Sequence, residues 1–195
     1  MKRGFDFLMA LALLILMGIP LLVVGLVILL WDGRPVLFTQ ERMGRHGRRF
    51  RILKFRTMAV TQTPSPQITA GETDHRITLM GRFLRRKRLD EFPQLINVLV
   101  GHMSLVGPRP EVPRYVDLED PRWKVVLSVR PGITGPDSLA FRNEGVDLAQ
   151  ADDPDRHYQE VILPQKLKIQ MLYAEERSFL GDAVLLFRTF GALRG

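Results

Sequence analysis

Two adjacent carboxylates, Asp90 and Glu91, directly follow a strongly basic stretch of Arg82, Arg85, Arg86, Lys87 and Arg88. Pro93 comes next, then the apolar run Leu95-Ile96-Asn97-Val98-Leu99-Val100, then Gly107-Pro108-Arg109-Pro110. Arginines beside a carboxylate pair can hold phosphates, while the pair supplies a nucleophile and a magnesium ligand. Neighbouring side chains on a helix do not share a face, so one carboxylate can attack phosphorus while the other holds Mg²⁺ against phosphate oxygens. The competing reading is that Asp90 only caps a helix and Glu91 is a solvated first-turn acid. Arg109 is stiffened by the proline on either side. That suits phosphate binding and equally describes a rigid surface turn. Arg130-Pro131-Gly132-Ile133-Thr134-Gly135 is a similar turn-rich element with a free arginine.

Other candidate clusters are weaker. Asp152, Asp153, Asp155 and His157 read as a solvated loop, and His46, His75 and His102 share no ligand spacing. No GxGxxG, Walker A or G-x-S-x-G motif occurs. Cysteine is absent, which excludes disulfides, zinc–thiolate sites and thiol catalysis.

The elements that must position these residues follow from local pattern. Asp90 is placed as an N-cap with Pro93 in the first turn, opening a helix that runs to Val100 and stops at Gly101. Upstream, 76–88 fits an amphipathic helix, with Ile77, Met80 and Leu84 on one side, Phe83 beside them and arginines elsewhere. It lies either in a membrane interface or on the protein's own core. Residues 35–40 and 49–58 read as strands joined by a turn from Gly44 to Gly47. Residues 61–75 read as an exposed loop or lid and 104–136 as irregular. Ala183, Leu186, Phe187 and Phe190 define a second amphipathic helix.

A chain of 195 residues with net charge +7 and pI near 10.2 suits one compact domain with an anionic partner: nucleic acid, acidic lipid or a phosphorylated substrate. Residues 42–56 carry seven Arg/Lys and no acid. They follow an apolar segment at once, so anionic lipid accounts for the charge and nucleic acid ranks low. That segment, Phe7 to Trp31, holds 25 uncharged residues, where a spanning helix needs about 20. A single anchor would explain it. However, both flanks are basic, Lys2 and Arg3 before and Arg34, Arg42 and Arg45 after, and such flanks stay in the cytoplasm. Pro20 sits mid-run, where it removes a helical hydrogen bond and kinks the axis. A helix broken there could enter and leave by the same face.

In combination these pieces resemble the bacterial sugar transferase family, the small monotopic phosphoglycosyl transferases. The resemblance rests on Lys2-Arg3…Asp6 before the proline-broken run, Phe38 to Arg42, Phe50 to Met58, Leu89 to Val100, Met103 to Pro110 and Val129 to Gly135. It implies an α+β, mostly helical protein: a re-entrant membrane segment over 1–33, then a cytoplasmic catalytic domain with interfacial helices over 34–195. It places the chain at the cytoplasmic face of the bacterial plasma membrane.

The implied reaction has two steps. Asp90 attacks the β-phosphate of a UDP-sugar and releases UMP; polyprenyl phosphate then takes the phosphosugar. The implied cofactor is Mg²⁺ on Glu91, and Lys54, Arg88, Pro108, Arg109, Pro110, Arg142 and Asn143 are the implied substrate contacts. Oligomeric state is open, a homodimer among the options, as are the sugar and the glycan. The chain departs from the family pattern at Ile19, His102, Glu176 and Pro136 to Phe141, which bears on nucleotide and sugar contacts. A Mg²⁺-dependent diphosphate phosphohydrolase and a non-catalytic module that binds anionic lipid are the alternatives.

Overall fold

The computed structural model describes residues 2–60 and 74–192, so most of the 61–75 loop lies outside the described residues. It is an α+β arrangement, mostly helical. Helix α1 (Lys2–Trp31) packs on a domain that begins with an antiparallel hairpin, β1 (Leu37–Met43) and β2 (Arg49–Phe55), in register from Leu37 opposite Phe55 to Met43 opposite Arg49. Helices α2 (Leu79–Arg86) and α3 (Gln94–Val100) follow. A second, two-stranded sheet pairs β3 (Ser104–Val106) in parallel with β4 (Gly132–Thr134), across an intervening helix α4 (Pro121–Val126). The chain ends in α5 (Pro136–Ala140), α6 (Glu144–Ala149), α7 (Pro154–His157), a π-helical turn Tyr158–Ile162, α8 (Leu163–Glu176) and α9 (Phe179–Ala192).

The expected break at Pro20 is not a break in the helix: α1 is helical from Lys2 to Trp31 with Pro20 inside it. Proline lacks the N–H for one i→i−4 bond, and the turns on both sides remain helical. Both ends of α1 are fixed to the same domain. At the start, Arg3 donates to the Val98 and Leu99 carbonyls (2.6 and 2.9 Å), Asp6 accepts from Ser104 Oγ (2.8 Å), and Lys2 pairs with Asp182. Just past the end, Asp32 accepts from Thr78 Oγ1 (2.8 Å), and the Arg56 guanidinium donates to the Asp32 and Gly33 carbonyls (2.6 and 2.8 Å).

The main core gathers Ala10 of α1, Phe50 and Ile52 of β2, Leu95 and Val98 of α3, and Leu105 and Val106 of β3. Asn97 stitches α3 to β2: its Nδ2 donates to the Arg51 carbonyl (2.8 Å) and its Oδ1 accepts from the Leu53 amide (3.0 Å). That bond pair fixes the register between the hairpin and the helix, and with it Lys54 next in the strand.

Three local expectations need correction. Asp90 is not an N-cap, because a 3₁₀ turn (Leu89–Glu91) intervenes and Pro93 precedes α3. Helix 76–88 is shorter, since Thr78 caps α2 by accepting from the Gly81 amide. Residues 104–136 contain β3, β4 and α4. Their strands of three residues each are too short to show a period of two.

Candidate active site

The site assembles where the 3₁₀ turn meets β2 and the segment after β3. Arg88 takes a left-handed conformation (φ 55°, ψ 19°), uncommon for a residue with a Cβ. It turns the chain so that Asp90 and Glu91 both point into the protein, where each is only 8% exposed. Lys54 Nζ reaches Glu91 Oε1 at 2.7 Å, and Arg109 comes to the same oxygen at 3.5 Å. The Asp90 carboxylate, by contrast, accepts no hydrogen bond among the described residues.

This asymmetry sets the electrostatics. Burial pushes the Asp90 carboxyl up from its ordinary value and the Glu91 charge adds to it, against the pull of Lys54, Arg85 and Arg88. Burial acts the same way on Glu91, but Lys54, Arg109 and Arg88 outweigh it and hold that carboxyl well below the usual range. The Lys54 ammonium is lowered by burial, which Glu91 offsets only in part. Arg109 is raised, chiefly by Glu91, and stays a cation. One carboxylate is therefore fixed and neutralised while its neighbour is buried and unpaired.

Arg109 is held by its backbone. Its amide donates to Asp137 Oδ2 (3.0 Å), and its carbonyl accepts from Gln170 Nε2 (3.3 Å). The Pro108 carbonyl accepts from the Gly132 amide (2.9 Å), and the Pro110 carbonyl from Arg42 (3.1 Å). The GPRP and RPGITG segments are thus one unit. The close approach demands glycine, since a Cβ on Gly107 would sit 2.4 Å from the Arg130 carbonyl oxygen. Arg142 and Asn143 lie between α5 and α6, exposed and outside the ion-pair cluster. The adjacent Glu144 nevertheless acts electrostatically on Arg109.

Sequence reasoning missed the layer behind Arg109. Lys166, 2% exposed, pairs with Glu111 (2.9 Å) and Glu144 (3.2 Å) and donates to the Tyr158 hydroxyl (3.0 Å). That hydroxyl in turn donates to Glu111 (2.7 Å). Lys166, Gln170 and Tyr173 form one buried stripe of α8, and their helical spacing was the available signal. The acidic stretch at 152–157 is ordinary scaffold: Asp153 caps α7, and Asp155 accepts from Arg114 and Tyr115.

Comparison with known proteins agrees with this arrangement. The family model described as bacterial sugar transferase matches residues 1–194. The exopolysaccharide production protein ExoY of Sinorhizobium fredii is 36% identical over 208 residues, covering 98% of this chain and 84% of that protein. The uncharacterized sugar transferase EpsL of Bacillus subtilis is 40% identical over 189 residues, covering 97% and 85%. The UDP-glucose:undecaprenyl-phosphate glucose-1-phosphate transferase of Escherichia coli is 40% identical over 139 residues, covering 69% of this chain and 30% of that longer protein. With nearly its whole length matched by one family and the buried Asp90–Glu91 pair at its centre, the chain belongs to the bacterial sugar transferase family.

Proposed function

We propose that the protein is a phosphoglycosyl transferase that moves a phosphosugar from a UDP-sugar to a polyprenyl phosphate. The carrying observation is the division of labour in the carboxylate pair: Glu91 bound by Lys54 and Arg109, Asp90 buried and unpaired. An Asp90 oxygen attacks the sugar-bearing β-phosphorus. The bond from that phosphorus to the bridging oxygen breaks, and UMP leaves with the electron pair. An oxygen of the polyprenyl phosphate then attacks the same phosphorus, breaking the aspartyl–phosphate bond and restoring the carboxylate. Lys54 and Arg109 offset the charge of the diphosphate, and Arg88, Arg142 and Asn143 are kept as substrate contacts on the family resemblance alone.

The residues fit Mg²⁺ in a particular way. Both cations sit on Glu91 Oε1, leaving Oε2 and the Asp90 carboxylate open. Among the described residues no group of three or more ligating side chains exists. Such a site suits a magnesium ion shared between one or two carboxylates and substrate phosphates, rather than a protein cage. When bound, the ion neutralises phosphate charge.

Membrane placement in one leaflet is part of the proposal. Its support is that Lys2, Arg3 and Asp6 at one end of α1, and Asp32 and Gly33 beyond the other, all bond to the same domain. A straight span would carry one end about 45 Å away, across the bilayer. Exposed Leu79 and Phe83 on α2, and Leu180, Phe187 and Phe190 on α9, provide apolar surface for the interface.

The test is UMP release from a panel of UDP-sugars with and without polyprenyl phosphate. Sustained release that requires the lipid is expected. Turnover without lipid would assign hydrolysis, and no release would leave a binding module.

A further inference from the structure

A cleft of about 330 Å³ shares no lining residue with the carboxylate site. It opens where the start of α1 meets the start of α9 and is lined by Lys2, Arg3, Arg45, Arg130 and Arg177, with Asp6 and Asp182 as its only acids. The acids are already engaged. Asp6 accepts from Ser104 Oγ (2.8 Å) and the Leu105 amide (3.3 Å), and Asp182 accepts from Lys2 and the Tyr173 hydroxyl (2.7 Å).

Arg3 spends its terminal nitrogens on the Val98 and Leu99 carbonyls, whereas Arg45 and Arg130 are engaged only at Nε. Arg45 Nε donates to the Ser128 carbonyl (2.9 Å) and Arg130 Nε to the Gly101 carbonyl (2.9 Å). The terminal nitrogens of both, and the whole Arg177 guanidinium, meet no acceptor among the described residues. A guanidinium anchored at Nε presents a pre-set fork, the geometry that grips phosphate oxygens in pairs. The 14-residue helix α9 also begins at the cleft, adding the positive end of its dipole.

The surroundings decide which phosphate. Asp6 and Phe179 line the cleft, and the residues that follow them, Phe7 and Leu8 on α1 and Leu180 on α9, are exposed. A phosphate there would carry apolar chains along both helices. The surplus of cations repels a choline or ethanolamine group. We propose that this cleft seats the headgroup phosphate of an anionic glycerophospholipid, fixing how the root of α1 and α9 sits against the bilayer. The proposal rests on the membrane placement given above and not on the transfer reaction.

The test counts bound lipid on the full chain by native mass spectrometry, after purification in a neutral detergent and loading with phosphatidylglycerol or phosphatidylcholine. Phosphatidylglycerol should be retained about tenfold better than phosphatidylcholine. The preference should disappear in Arg45→Ala/Arg177→Ala and weaken in Arg177→Gln, whose side chain makes no bond to the protein. Equal retention of the two lipids by the wild type, or an undiminished preference in the double variant with its melting temperature intact, overturns the proposal. Inorganic phosphate is the third arm: if it displaces phosphatidylglycerol at equal concentration, the cleft is a free-anion site and the lipid assignment fails. Because the readout is lipid and not UMP, failure here leaves the transferase reading standing, and the reverse holds too.

Discussion

Glu91 carries two cations on one oxygen, while the adjacent Asp90 feels Lys54, Arg85 and Arg88 at longer range and makes no ion pair among the described residues. Glu91→Gln removes the counter-charge of buried Lys54 and Arg109, and breaking one side of a buried pair costs about 3–5 kcal/mol. Chemical denaturation should register that loss, and a Mg²⁺ titration of activity should show weaker apparent affinity. Unchanged values in both would reduce Glu91 to a bystander. The Lys166–Glu111 pair makes a second case. Glu111 is held below its ordinary 4.5 by Lys166 against the effect of burial, and Lys166 is held above its ordinary 10.5 by Glu111 and Glu144, likewise against burial. A lowered acid adds stability that is lost as pH falls below 4.5, and a raised base adds stability that is lost as pH climbs above 10.5. Lys166→Met should therefore lower stability by about 3–5 kcal/mol near neutrality and flatten the alkaline fall in melting temperature. A loss under about 1 kcal/mol, or an alkaline limb identical to wild type, would show that the pair is decoration. Asp90, Glu91 and Arg109 stood out in the sequence, but their residue types alone fitted a helix cap and a rigid turn as well, and only the family resemblance singled them out as a site. Lys166 did not stand out: its helical spacing with Gln170 and Tyr173 marks a shared face, but lysine is almost always exposed and the partner Glu111 lies 55 residues upstream.

At the scale of elements, the two proline–glycine motifs looked like separate turns and prove to be one joint. Gly107 donates to the Thr134 carbonyl (2.9 Å) and Gly132 to the Pro108 carbonyl (2.9 Å), and Arg109 stands beside that seam. Gly107→Ala forces a Cβ to 2.4 Å from backbone that cannot yield cheaply. It should cost about 1–3 kcal/mol and raise the KM for UDP-sugar more than it lowers kcat; a KM equal to wild type would detach the joint from substrate binding. Helix α1 shows what sequence reading gets right and wrong in one element. Apolar length and basic flanks were plain, but the proline that should break the helix is absorbed within it. The bonds that tie its two ends to the domain come from residues 23 to 180 positions away, beyond the reach of a local pattern. Pro20→Leu supplies the missing N–H and favours a straight span. A cysteine at Gly4, where a Cβ meets nothing within 4 Å, reports the N-terminus in a chain that has no native thiol. It should label from the cytoplasmic side in the parent and partly from the periplasmic side with Pro20→Leu. Periplasmic labelling in the parent contradicts the one-leaflet reading.

For the whole molecule, the proposal is that the buried Asp90 serves a soluble donor and a lipid acceptor in turn. If that is the logic, the enzyme pauses with the sugar on itself whenever the acceptor is missing. The most direct measurement is the intact mass of the purified chain after incubation with UDP-sugar and Mg²⁺ but no polyprenyl phosphate. Wild type should gain the mass of one phosphosugar, lose it when polyprenyl phosphate is added, and map it to Asp90; Asp90→Asn should gain nothing. Sustained transfer by Asp90→Asn, or transfer by the wild type with no adduct at any time, would contradict the account.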